Sequence, residues 1–163
     1  MAYIDNFLRL ADAQAFSTTS AVSENIIDLE DVRSIGSGEA IAVVFTVTTA
    51  ADQTSGDEDY TFDVRVDTNT DMTTASQVLG RRIFESGTPT APAQNADLLV
   101  AGYQFVIVIP PVTLDGAVSE GARYLGAFAI LAGTSPTVSV DIDVKPLSMV
   151  DQYNDYASGY SIN

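Results

Sequence analysis

Hydrophobic and polar residues alternate along most of this chain with a two-residue period, which is typical of β-strands that bury one face. The clearest case is Thr137–Lys145, where every second residue is valine or isoleucine and the residues between them are polar. Tyr60–Val66 repeats the pattern, with Asp63 and Arg65 at outward positions. Because a shift of one residue would bury these charges, the register of both strands should be fixed.

Other stretches favour strands through β-branched and aromatic residues. Tyr103–Ile109 is apolar at nearly every position, which predicts a strand covered on both sides. No long segment has a helical period, and the one helical turn that the pattern indicates lies near Asp5–Ala11. The remaining predicted strands are Ile41–Thr49, Tyr124–Leu131, Asn25–Leu29, Ser76–Phe84 and Leu98–Ala101.

Strands without intervening helices cannot form a parallel sheet, because parallel strands need crossover connections. The pattern therefore predicts an all-β fold, a jelly-roll-like β-sandwich with extended N- and C-terminal arms. An immunoglobulin-like sandwich is the alternative, and periodicity does not choose between them. The predicted division is an N-terminal arm over residues 1–20, the sandwich over 21–146 and a C-terminal arm over 147–163.

Both predicted arms are polar, with scattered large side chains. Tyrosine is enriched at the centres of protein interfaces, so these side chains are candidates for contacts with neighbouring subunits. The alternative is that the ends pack on their own domain. The contact candidates are Phe7, Leu8, Leu10, Tyr153, Tyr156 and Tyr160.

The excess of acidic over basic residues argues against some classes of binding partner. The chain has 163 residues, 46% of them hydrophobic, which is enough for one domain with a substantial core. With 22 acidic and 7 basic residues, its formal net charge is −15. A protein of this charge repels phosphate, which argues against nucleic-acid binding. The sequence predicts neither a signal peptide nor a membrane span.

Few residues could carry chemistry. The chain has no histidine and no cysteine, which excludes the usual catalytic triads and zinc sites. Asp141 and Asp143 share a strand face about 7 Å apart, a spacing that a glycosidase could use, although two solvent-facing charges explain it better. Asp67-Thr68-Asn69-Thr70-Asp71 begins like a calcium-binding loop, but Met72 follows where glycine is required.

The acidic turn of residues 52–59 is left open, as a calcium site or as a solvated loop. In sum, the residues predict a protein that is not an enzyme, with no cofactor and no metal.

The ends and the last strands resemble a known family. The chain is similar to the small cement, or decoration, proteins of tailed bacteriophages with HK97-type capsids. The stretch between Ala51 and Ala101 carries no part of this resemblance. The matching stretches are Tyr3–Ala15, Asn25–Leu29 with Asp31 and Ile35–Glu39, Arg123–Leu125, Ala132–Thr134 with the strand that runs to Val144, and Gly159-Tyr160.

The resemblance implies a structural role at the outer capsid surface of a virion, after synthesis in the host cytoplasm. It implies that the phage major capsid protein is a partner, that neighbouring capsid proteins are bridged, and that the chain forms homodimers or homotrimers. It transfers no catalytic residue. The alternative function, from a different class, is a carbohydrate- or host-receptor-binding β module of a virion.

Overall fold

The computed structural model describes residues 8–17, 19–29, 39–74, 76–86, 95–111, 113, 117 and 121–154, with backbone alone for 151–154. Nine strands, the helix α1 and a 3-10 turn at Ala96–Leu98 lie in these ranges; Leu8 also has a 3-10 conformation, and Pro111, Thr113 and Ala117 are helical. The elements are β1 Arg9–Phe16, β2 Ser20–Val22, β3 Ile27–Asp28, β4 Ile41–Thr49, β5 Asp59–Asp67, β6 Gln77–Glu85, β7 Gln104–Ile109, β8 Tyr124–Ala132, β9 Val138–Pro146 and α1 Leu147–Asn154.

The strands form two antiparallel sheets that pack face to face. Sheet A has the order β1-β9-β4-β7, and sheet B has the order β2-β8-β5-β6 with β3 added beside β8. The first strand pairs with the last, and the chain crosses between the sheets at every connection except β2–β3 and β5–β6, which is the connectivity of a jelly roll. The predicted all-β sandwich is therefore confirmed, and the strand order fits the jelly roll rather than the immunoglobulin-like alternative.

The core lies between the sheets and follows the predicted alternation. Val138, Val140, Ile142 and Val144 of β9 are all buried. At the centre, Phe45 of sheet A stacks on Phe105 at 4.7 Å between ring centroids, and Phe62 of sheet B lies 5.3 Å from Phe105. Such aromatic contacts add to the area that is buried and make the two sheets one rigid body.

The N-terminal boundary of the sandwich differs from the prediction. Residues 9–16, expected in the arm 1–20, form β1 at the edge of sheet A, where they pair with β9. The strand carries two register shifts, and Ala13 has a positive φ of 49°. These bulges interrupt the alternation of side chains, which is why the period-2 pattern does not reveal this strand. Of the helical turn expected near Asp5–Ala11, Leu8 has a 3-10 conformation, Arg9–Ala11 are strand, and residues 5–7 lie outside the described part.

Three further local predictions need correction. Leu98–Ala101 does not form a strand but follows a 3-10 turn, with Leu99 buried and Val100 exposed. Tyr103–Ile109 is not covered on both faces, because β7 is an edge strand and Val108 is 44% exposed. The start of the predicted C-terminal arm is helical. In the described part of the chain, no helix is long and apolar enough to cross a membrane.

Candidate functional site on the outer faces of the sandwich

The fold brings the two ends of the chain to one end of sheet A. β1 begins at Arg9, which lies opposite Asp143 of the neighbouring strand β9. The helix α1 begins at Leu147, directly after β9 ends. Four residues of strand span about 13 Å, so β1 begins and β9 ends near the same end of sheet A. The N-terminal contact candidates lie close to the start of β1, whereas the C-terminal ones lie in or beyond α1.

The predicted contact residues differ in their burial, and some of them lie outside the described residues. Leu10 is fully buried in the core, so its side chain is not available to an external partner. Leu8 is partly buried and packs against the same core. Tyr153 lies in α1, but its side chain is outside the described part. Phe7, Tyr156 and Tyr160 lie outside the described residues.

The helix α1 packs on the outer face of sheet A. Val150 is buried against Ala42 and Val44 of β4, while Val106 and Leu147 border the contact. Val44 pairs with Val106 across β4 and β7, so the helix lies over the half of sheet A that these two strands form. Its other side is exposed, since the Met149 side chain is 55% accessible. The helix thus sets the direction in which the following segment departs.

The first turn of α1 is tied to the segment before β4. The Ser148 backbone N–H donates to the Glu39 carboxylate at 2.8 Å, and the Leu147 N–H donates to the Ala40 carbonyl at 2.9 Å. A carboxylate that accepts from the first N–H groups of a helix satisfies donors that lack partners inside the helix. Hydrogen bonds from Ser148 hold the pKa of Glu39 below its usual value.

Asp141 and Asp143 are each paired with a basic side chain of their own sheet. Asp141 accepts from the Arg9 guanidinium at 3.2 Å and from the Ala13 N–H at 2.6 Å. Asp143 lies 3.4 Å from the Lys145 ammonium and is nearly buried, not solvent-facing as predicted. The Asp141 contacts fix β1 to β9, whereas the Asp143–Lys145 pair lies within β9.

The outer face of sheet B carries a buried carboxylate between two arginines. Asp63 of β5 is fully buried and accepts from Arg81 of β6 at 2.6 and 2.8 Å and from Arg65 at 2.7 Å. Burial raises the pKa of Asp63, but the hydrogen bonds from Arg81 and Arg65 together outweigh it and lower the pKa below its usual value. The three side chains carry a net positive charge in a chain that is otherwise strongly acidic.

The turn after β5 folds back over this face and explains the burial. Arg65 donates to the Met72 carbonyl at 3.0 Å, and its guanidinium lies 3.9 Å above the Phe128 ring. Met72 is fully buried and reaches Gly126, where an added Cβ would lie 3.0 Å from the Met72 methyl group. Asp63 and Arg65 do point outward as predicted, but the turn covers Arg65, and Asp63 is enclosed by the two arginines.

The carboxylates of the acidic turn, residues 52–59, are engaged within the chain. Asp57 accepts from the backbone and hydroxyl of Thr134, both at 3.0 Å. Glu58 is fully buried and accepts from the Ser55 and Asp57 N–H groups. No group of three or more potential metal ligands occurs in the described ranges. The turn is therefore organised by hydrogen bonds within the chain, and one of its carboxylates, Glu58, is buried rather than solvated.

A comparison with known protein families identifies the family to which this chain belongs. A family model described as Bbp16 matches residues 10–144, from the start of β1 to near the end of β9. The chain belongs to the Bbp16 family. The Bbp16 name is of the phage type and is compatible with a virion-related phage protein. No curated protein matches the chain.

The Bbp16 match covers the sandwich and leaves out most of the predicted contact residues. Of these, Leu10 alone falls within the matched range, and it is a core residue. The Bbp16 match thus coincides with the rigid body, and the end segments lie outside it. Sequence reasoning missed the outward-facing groups of sheet B, of which Arg81 and Ile83 are examples. Their arrangement depends on the pairing of β5 with β6, which the alternation pattern does not contain.

Proposed function

We propose that the chain is a structural capsid cement protein of a phage. It binds the outer capsid surface, bridges neighbouring major capsid proteins and stabilises the head. The observation that carries the proposal is that β1 begins and α1 starts near the same end of sheet A, so the N-terminal segment and the helix that leads to the C-terminal segment are attached to one region of the sandwich. Two segments attached to one stiff body can contact two neighbouring capsid subunits while the body spans the boundary between them.

Stabilisation follows from selective binding. A ligand that binds the expanded shell but not its precursor shifts the equilibrium towards the expanded form. Each contact then needs to contribute only a few kcal/mol, because many copies act on one shell. The antiparallel sheets and the central aromatic contacts resist deformation, so strain at a subunit boundary is transmitted through the body.

The charge of the chain points to the chemistry of its partner. A net charge of −15 favours a capsid surface that carries lysine and arginine. Attraction between exposed charges is screened within about 8 Å at physiological ionic strength. Shell binding should therefore weaken as salt is raised, and an affinity that does not change with salt would indicate an apolar interface instead.

Co-sedimentation with expanded shells and with precursor shells tests the proposal. The full chain should pellet with expanded shells and stay in the supernatant with precursor shells. Deletion of residues 1–7, or of 155–163, should weaken shell binding by about tenfold or more, equal to about 1.4 kcal/mol. The first deletion stops at residue 7 because Leu8 and Leu10 pack in the core. Both variants should keep the melting temperature of the full chain.

Equal binding to both shell types, or no binding, would remove the cement function. The carbohydrate- or receptor-binding alternative predicts that exposed aromatic rings stack on sugars. In the described ranges every phenylalanine is buried and Tyr60, Tyr103 and Tyr124 are buried or half-buried, which does not favour it. A glycan array on the same protein would reveal that alternative if the shells fail to bind.

A further inference from the structure

The edge strand β7 lacks the features that keep the edge of a sheet from pairing with another chain. It consists of Gln104–Ile109, six residues without a charged side chain, a glycine or a proline. It pairs with β4 without a register shift. Proteins usually protect an edge with charges, proline, bulges or a covering segment, so a regular and uncharged edge strand is a template on which a further strand can form.

Alternate residues of β7 direct their backbone groups away from β4. The Val47 N–H donates to the Tyr103 carbonyl at 2.9 Å, just before β7 begins. Bonded pairs recur at every second residue of an antiparallel ladder, and the register of β4 with β7 is unbroken. The odd-numbered residues of β7 therefore bond to β4, whereas the N–H and C=O groups of Gln104, Val106 and Val108 face the free edge. Within the described ranges these groups form no other hydrogen bond.

The opposite edge of sheet A, at β1, is closed. Two register shifts interrupt this strand, and Ala13 has a positive φ. Asn25 occupies its free side, where the backbone N–H donates to the Leu10 carbonyl at 2.9 Å and the side chain donates to the Arg9 carbonyl at 3.1 Å. Bulges and a covering segment are both devices that prevent the addition of a strand.

The two edges of sheet B are closed as well. At β6, the Asn95 side chain accepts from the Glu85 N–H at 3.0 Å and donates to the Ile83 carbonyl at 3.3 Å. At the other edge, β8 is flanked by two short strands, β2 with three residues and β3 with two. Among the four edges of the sandwich, β7 is thus the one that is long, regular and unprotected in the described ranges.

The surroundings of β7 indicate the chemistry of the segment that it would accept. Val108 lies on the outer face of sheet A and is exposed, as is Met149 of the helix that packs on the same face. Every second side chain of an added strand would lie on this face, which favours aliphatic residues there. The net charge of −15 opposes the approach of a second copy and favours a segment flanked by lysine or arginine.

We propose that β7 is the edge on which an extended segment of the capsid protein adds to sheet A as a fifth strand. The inference rests on the capsid function proposed above and names one contact through which the chain would hold the shell. Main-chain hydrogen bonds to residues 104, 106 and 108 would supply affinity, and side chains beside Val108 would supply specificity. Because the β1 edge is closed, sheet A can be extended on the β7 side only.

Amide exchange of the full chain, measured free and while bound to expanded shells, tests this edge directly. In the free chain the N–H groups of Gln104, Val106 and Val108 should exchange quickly, because they have no acceptor in the ladder. Shell binding should slow their exchange by about tenfold or more, whereas Phe105 and Ile107 should exchange slowly in both states. Equally fast exchange of the three edge amides in the free and bound chain would overturn the proposal.

Two substitutions of Val108 separate the backbone donor from the side chain. Val108→Pro removes an N–H that faces the edge and keeps the ladder with β4, which is a position at which sheets tolerate proline. Val108→Thr keeps the N–H and the β-branched shape. In co-sedimentation with expanded shells, Val108→Pro should bind about tenfold more weakly or less, and Val108→Thr should bind like the wild type. The melting temperature of each variant checks that the sandwich is retained.

The outcomes distinguish this edge from the capsid function as a whole. A wild type that does not pellet with expanded shells would remove both. If the wild type pellets and a folded Val108→Pro binds equally well, the β7 contact is wrong and the capsid function stands; if Val108→Pro does not fold, the amide exchange of the wild type decides. Slow exchange of the edge amides in a concentrated sample without shells would assign β7 to a second copy and overturn the proposal.

Discussion

The Asp63 carboxylate on β5 accepts two hydrogen bonds from Arg81 on β6, although Asp63 is fully buried and Arg81 is half-exposed. Removal of one charge from such a pair leaves the other without compensation. We therefore expect Asp63→Asn to lower the free energy of unfolding by about 3 kcal/mol. Urea unfolding measures the change, and Asp97→Asn, at an exposed site, should be near neutral. An equally small effect at both positions would contradict the role given to Asp63.

The same carboxylate should contribute to acid unfolding. Because the pKa of Asp63 is lower in the folded chain than in the unfolded chain, the folded state binds fewer protons. The stabilisation is thus complete above the unfolded value of about 4 and is lost as the pH falls through the folded value. The melting temperature of the wild type should decline in this range, and Asp63→Asn should decline less steeply. Parallel pH profiles would exclude this contribution.

Tyr60 should give the opposite dependence at high pH. Burial raises its pKa to about 12, and its hydroxyl donates to the Asp52 carbonyl. A raised folded pKa means that stability is complete below the unfolded value of about 10 and is lost as the pH rises to about 12. Tyr60→Phe should cost about 1 kcal/mol at neutral pH but flatten the alkaline melting profile. Tyr103→Phe serves as the control for removal of a tyrosine hydroxyl elsewhere.

The turn after β8 depends on Gly133. This residue has a φ of 95°, and an added Cβ would lie 2.3 Å from the Asp57 carbonyl oxygen. Gly121 has a similar φ of 97°, but an added Cβ there meets no atom of the described residues within 4 Å, so the pair separates backbone strain from steric conflict. Gly121→Ala should cost about 1 kcal/mol, and Gly133→Ala about 3 kcal/mol because the clash adds to that strain. Thermal unfolding compares them, and equal losses would show that the close approach is unimportant.

The alternation pattern predicts the strands that pair regularly and fails where pairing is irregular. β9 keeps one register with β4 from Ile41 to Val47, and its inward residues were predicted correctly. β1 has two register shifts, so the consecutive residues Leu10 and Ala11 are both buried, and the two-residue alternation of buried and exposed positions is lost. Bulges of this kind depend on tertiary pairing, which the local sequence does not specify.

The candidate surfaces were harder to predict, because they combine residues from different strands. Alternation assigns Asp63 and Arg65 to the outer face but does not show that the turn containing Met72 covers Arg65. The proximity of Arg81 to Asp63 follows from the β5–β6 register. The helix α1 has eight residues and contacts the sheet mainly through Leu147 and Val150, too short a pattern to separate from a polar tail.

Val150 links the sandwich to the proposed shell contacts, because it fixes α1 on sheet A and so directs the C-terminal segment. Val150→Asp would bury a carboxylate against Ala42 and Val44, at a cost of several kcal/mol. Because detachment of the helix from the sheet avoids this cost, we expect α1 to be released. Amide exchange in residues 147–154 should accelerate while the strands remain protected, and shell binding should fall by about tenfold. Met149→Asp, next to it on the exposed side, should change neither measurement. If the helix is released in Val150→Asp and shells still bind with full affinity, shell binding does not depend on where the C-terminal segment starts on sheet A. The shell contacts must then lie elsewhere on the sandwich.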